Sequence, residues 1–89
     1  MVHLYLLDKP FGENGMKLAV RDEAAAIVLI QDGVYLDTGS LHEAGLNIYA
    51  VKRDAEKRGQ LNRLSKFVHL IDYGQLVDLI VENKVINFA

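Results

Sequence analysis

From Ala25 to Ile30 the chain reads Ala-Ala-Ile-Val-Leu-Ile, six consecutive apolar residues of which three are β-branched. A half-buried strand would alternate apolar with polar. An unbroken run instead predicts a strand buried on both faces, as in a parallel sheet covered by helices, and it belongs at the centre of that sheet. The run stops at Gln31, Asp32 and Gly33. That trio is either the turn by which a buried strand leaves its sheet or the polar rim of a site, because ligands in open α/β sheets sit beyond the carboxyl ends of the strands.

The rest of the chain alternates in the same manner. Val2 to Leu7 reads as a first strand, ended by the breaker DKPFG. A helix is expected from Glu13 to about Glu23, where Met16, Ala19 and Val20 share a face and Gly15 weakens the first turn. The segment DTGSLHEAG reads as a loop leading to a third strand, Asn47 to Val51. RDAEKRG then gives a short helix closed by Gly59 in a left-handed cap. Phe67 to Ile71 is a fourth strand. A final helix carries Tyr73, Leu76, Val77, Ile80 and Val81 on one stripe, and Asp72 with Gln75 forms a capping box at its start. The closing residues KVINFA are too apolar for an idle tail and are expected to seek a partner chain or to fold back on the last helix. Strands alternating with helices predict a three-layer α/β fold with a small, mostly parallel sheet, read as one domain over residues 1–89.

Eighty-nine residues bury roughly 60 to 65% of the surface that the unfolded chain exposes, so the core is thin and association is a natural way to gain burial. There is no cysteine, which excludes disulfides, thiolate metal sites and a cysteine nucleophile on this chain. The opening MVHLYLLDKPF has neither a basic leader nor a small-residue cleavage site, and no apolar run reaches spanning length; a cytoplasmic protein without membrane contact is expected. The formal net charge of −2 argues against a stand-alone nucleic-acid binder. The charge is uneven, however: between positions 52 and 66, Lys52, Arg53, Lys57, Arg58, Arg63 and Lys66 face only Asp54 and Glu56.

Candidates for chemistry are few. Gln31, Asp32, Lys52, Arg53 and Asp72 fall at strand ends, yet Asp32 suits a turn through Gly33 and Asp72 suits a helix cap. No GxGxxG or P-loop pattern supports a nucleotide cofactor. His3 and His69 lie inside strands, where a core imidazole is commoner than a base. His42 with Glu43, Asp32 and Asp37 matches no established metal-ligand spacing. Neither serine sits in a nucleophile elbow. Neither a catalytic residue nor a cofactor or metal site is expected.

The order of segments is more telling: MVH and KPF, then VLIQDGVY, then IYAVKRDAEKRG, then LIDYGQLVDLIVEN. Together they resemble the DsrH/TusB family over nearly the whole chain. That resemblance implies a flavodoxin-like DsrEFH fold and a small subunit of a sulfur-relay complex, assembled with DsrE/TusD-like and DsrF/TusC-like subunits or with itself. It implies persulfide traffic that in the TusB branch leads to wobble-uridine thiolation in tRNA. The family's sulfur-bearing cysteine belongs to the DsrE or TusD type of subunit, and some DsrH members add one of their own. This chain departs from those by having none, so the resemblance implies a scaffold or docking role and only an indirect link to tRNA. The surfaces expected to dock a partner or ligand are Gln31, Asp32 and Gly33, the basic residues Lys52, Arg53, Lys57 and Arg58, and Phe88. The alternative is a stand-alone domain binding a small molecule or anion at the strand ends.

Overall fold

The computed structural model describes residues 2–89 and contains one five-stranded sheet in the order β4-β3-β2-β1-β5. Its strands are β1 (His3–Leu7), β2 (Ala25–Leu29), β3 (Asn47–Val51), β4 (His69–Ile71) and β5 (Lys84–Phe88). Every pairing is parallel, from Leu7 against both Leu29 and Phe88 to Ala26 against Asn47 and Tyr49 against His69. β2 is central and buried at all five positions, as its unbroken apolar character requires.

Strand alternation divides the core in two. On one face Tyr5, Leu7, Ile27, Leu29, Ile48 and Ala50 pack under α1 (Gly12–Ala19), α2 (Gly39–Glu43), α3 (Lys52–Lys57) and α4 (Leu61–Leu64). On the other, Leu4, Ala26, Val28 and Ile71 pack under α5 (Tyr73–Glu82) through Leu76 and Leu79. The layers are therefore unequal. α5 has no fully buried residue and leaves Tyr73, Val77 and Val81 at least half exposed.

α1 lies close to the sheet because Gly12, Gly15 and Ala19, at i, i+3 and i+7, bury a side of the helix with almost no side chain. A methyl at Gly15 would collide with Leu7 and the Phe88 ring, so the glycine that weakens helix propensity is the one the packing needs. The helix ends at Ala19, earlier than its periodicity predicts. There the amides of Arg21 and Asp22 turn back to the carbonyls of Leu18 and Ala19 in a tighter turn.

Four further expectations are corrected. The closing segment is not idle, as expected, but it pairs within its own sheet instead of packing on the last helix or reaching for a partner chain. It is β5, hydrogen-bonded beside β1, with Val85 turned to the α5 side and Ile86 and Phe88 to the other. DTGSLHEAG contains α2, which buries Leu41 completely. β4 begins at His69 because the amides of Phe67 and Val68 both bond to the Leu64 carbonyl, finishing α4. Gln31–Tyr35 forms a 3-10 turn where a simple strand exit was read. By contrast, the capping box is present, with the Gln75 amide donating to Asp72 Oδ1 at 2.7 Å and the Asp72 amide to Gln75 Oε1 at 2.9 Å. Gly59 holds the left-handed conformation at φ +67°.

Candidate functional site

The carboxyl end of β2 answers the question raised by Gln31, Asp32 and Gly33. Gln31 adopts φ +48°, a left-handed conformation that costs a non-glycine residue about 1 to 2 kcal/mol. Its amide donates to Asp54 Oδ2 at 2.8 Å, which pins the bend. The bend lays Gly33 directly on the Leu7 carbonyl, where a Cβ has no room. Asp32 is exposed and accepts from Arg58 Nε at 2.9 Å; this bond, ahead of the nearby Asp32 and Asp54 charges, holds the Arg58 guanidinium above its usual range. The trio forms a turn in which the Gln31 backbone amide and the Asp32 carboxylate are engaged within the chain, while Gln31 is exposed.

Asp54 is the centre of this end of the sheet. It is almost wholly buried, and its second oxygen accepts from the Tyr73 hydroxyl at 3.3 Å. One carboxylate thus ties the end of β2, the first turn of α3 and the first turn of α5. Arg58 leans on the same helix by donating to the Asp54 carbonyl at 3.3 Å. Arg63 acts similarly on the next segment: it donates to the carbonyls of Leu36, at 3.0 Å, and of Val34, and to Gln60 Oε1 at 2.7 Å. Sequence reasoning counted Arg58 and Arg63 among free cations and Asp54 as a mere counter-charge. The one hint was an acid three residues beyond the end of a strand, where it can reach the neighbouring strand's exit.

Lys52, Arg53 and Lys57 are exposed on α3, and among the described residues no ion pair engages them. Phe88 is half-buried and lies parallel to the Tyr5 ring at 6.3 Å between centroids. A groove of about 400 Å³ lies along α1, with Met16, Val20 and Leu36 forming apolar walls and Lys9, Glu13 and Tyr35 among its polar margins, and none of Gln31, Asp32, Lys52 and Arg53 lines it. The chain steps outward from β1 through β4 and then returns to set β5 on the far side of β1, so the order reverses between β1 and β5, whereas the groove is lined by α1 and residues 35–40.

The histidines also differ from expectation. His3 is half-exposed, and its Nδ1 lies 2.6 Å from Asp22 Oδ2. The Tyr5 hydroxyl donates to that same oxygen at 2.9 Å, and the Ala24 amide to Oδ1 at 3.0 Å. The bond from His3 holds the Asp22 carboxyl below its usual range, with help from Tyr5 and Ala24. Burial, then Asp22, pushes the Tyr5 hydroxyl up. His69 is exposed at the start of β4 against the Tyr49 ring, not a core imidazole. His42 stacks on Phe67 at 4.2 Å. Among the described residues no three histidines or carboxylates gather into a metal-ligand set. None of the helices among them is long and apolar enough to cross a membrane.

A family model described as DsrH like protein matches residues 10–86. Protein TusB from Pectobacterium parmentieri is 37% identical over 68 residues, covering 70% of this chain and 72% of that one. Protein TusB from Salmonella arizonae is 34% identical over 73 residues, covering 73% and 75% respectively. The crystal structure of the ychN protein from E. coli matches with a TM-score of 0.77 over 99% of each chain, at 15% identity, a likeness of fold.

Proposed function

Because this chain belongs to the DsrH-like protein family, we propose that it is a subunit of a sulfur-relay assembly that holds and docks the sulfur-bearing subunits without carrying sulfur itself. The observation that carries this reading is the family match over residues 10–86 in a chain with no cysteine. Persulfide transfer requires an acceptor thiolate that attacks the outer sulfur of the donor persulfide and releases the donor thiolate, and without cysteine no residue here supplies either thiolate. The strand-end groups support the same reading, since Asp32, Asp54, Arg58 and Arg63 are occupied in holding loops and not arrayed around a reaction centre. The partners are subunits of the TusC and TusD kind, the compartment is the cytoplasm, and the relay ends in thiolation of the tRNA wobble uridine. The strand-end anion site, built from Gln31, Asp32, Lys52 and Arg53, is disfavoured by the engagement of Asp32 with Arg58.

The test is reconstitution. The chain is expressed with TusC-like and TusD-like subunits and exposed to a persulfide donor, and each polypeptide is weighed intact. Sulfur should appear on the TusD-like subunit only, with this chain co-purifying at unchanged mass. Addition of sulfur to this chain, or its failure to co-purify, defeats the proposal.

A further inference from the structure

The α5 face and the α3–α4 corner of the opposite face carry opposite charge. α5 and its cap contribute Asp72, Asp78 and Glu82 and no cation. The buried strand positions beneath α5 are apolar, with the exposed His69, Asn47 and Asn87 at strand ends on the same side, and none of the chain's ten lysines and arginines belongs to α5 or to a strand position on its side; Lys84 alternates with Val85 and falls on the other face. Beside those acids runs an exposed apolar band of Val77, Ile80 and Val81, with Val81 78% exposed. On the opposite side, the α3–α4 corner presents Lys52, Arg53 and Lys57 on α3 and Lys66 just beyond α4, with Glu56 as the one exposed acid between positions 52 and 66, because Asp54 is buried; Asp32 is paired with Arg58, and the exposed acids Glu13, Asp37 and Glu43 lie with α1 and α2.

We propose that copies of this chain stack head to tail, the α5 face of one seated on the α3–α4 face of the next. Charge decides the occupant. A two-fold contact of α5 on α5 would set Asp78 and Glu82 against their own copies, and like charges across an interface cost several kcal/mol. The α3–α4 face of a second copy answers both features of α5. Lysine and arginine stems cover apolar surface while their heads reach carboxylates at its border, so Arg53 and Lys57 can lie across the valine band toward Asp78 and Glu82. Size permits it: the molecule measures 30 × 26 × 23 Å, so its broad face is comparable to the roughly 800 Å² per partner of a standard interface. Since the faces lie on opposite sides of the sheet, the contact is heterologous and builds a ring or a filament. It goes beyond the relay reading and is independent of it, for it concerns the chain alone with no sulfur present.

Sedimentation equilibrium on the purified full chain tests it. At about 50 mM salt, the average mass should be at least twice the 10.0 kDa of one chain, and the dissociation constant should rise about tenfold or more by 500 mM as screening shortens the reach of the charges. Asp78→Lys with Glu82→Lys should give a monomer, as should Lys52→Glu with Arg53→Glu and Lys57→Glu. An equimolar mixture of the two variants should associate again, because each then offers the other a complementary face. All five positions are exposed, and circular dichroism checks that the fold is kept. A monomeric wild type at low salt, association indifferent to salt, or folded variants that do not re-associate on mixing would each overturn the stacking.

Discussion

At the scale of single residues, the Gln31–Gly33 turn is governed by one close approach. Gly33 rests on the Leu7 carbonyl, and a Cβ cannot be accommodated without moving β1 or the 3-10 turn. Gly33→Ala should therefore destabilise the protein by on the order of 3 kcal/mol, at the upper end for overpacking, read as a lowered urea midpoint. An unchanged midpoint would show that the turn yields easily. Asp22 offers a test by pH. Its carboxyl is held below the ordinary range, chiefly by the bond from His3, so its contribution is complete above the unfolded carboxylate value of about 4 and fades as pH falls through the lower folded value. The thermal midpoint of Asp22→Asn should lie below that of the wild type at neutral pH, and the gap should close as pH falls through the lowered folded value. A gap that stays constant into acid would mean that packing, not the charge, is what Asp22 supplies.

At the scale of elements, β5 shows how a short apolar segment is read differently alone and in context. Val85, Ile86 and Phe88 are partly buried, and β5 contributes ladder bonds to β1 along its length. Removing residues 84–89 strips one edge of the sheet and exposes β1, Gly15 and the Leu7 side chain. At roughly 1.5 to 3 kcal/mol for each fully buried side chain, discounted for partial burial, the loss is on the order of 4 kcal/mol. That is a large fraction of the total for a domain of this size. A chain ending at Asn83 should unfold at a much lower urea concentration or fail to fold at 25 °C, and its amides in β1 should lose hydrogen-exchange protection. Retention of wild-type stability would show that β5 is not part of the fold. α5 is the converse case: its stripe and capping box are local and legible, while its exposure follows from being, among the described residues, the only helix on its side.

At the scale of the whole molecule, the unequal layers separate burial from interaction. Four helices cover one side of the sheet and one covers the other, and the cations fall with the four. The sequence by itself determined what depends on neighbours along the chain. The continuous apolar run from Ala25 put a buried parallel strand at the centre; the 3.6-residue stripe and the Asp72–Gln75 pair marked α5; Gly59 marked a helix end; and the absence of cysteine removed thiol chemistry. Tertiary structure alone decided what depends on distant groups meeting. It brought Asp54 to the Gln31 amide and Tyr73, gave Arg58 and Arg63 to loop carbonyls and Asp32, and set Phe88 against Tyr5. It also opened the groove between α1 and residues 35–40, segments that meet only in the fold. The physical reason is one of range. Periodicity and capping act over a few residues and leave their mark in the local pattern, whereas a buried carboxylate or a close glycine acquires its role from a partner more than twenty residues away, which no local pattern records.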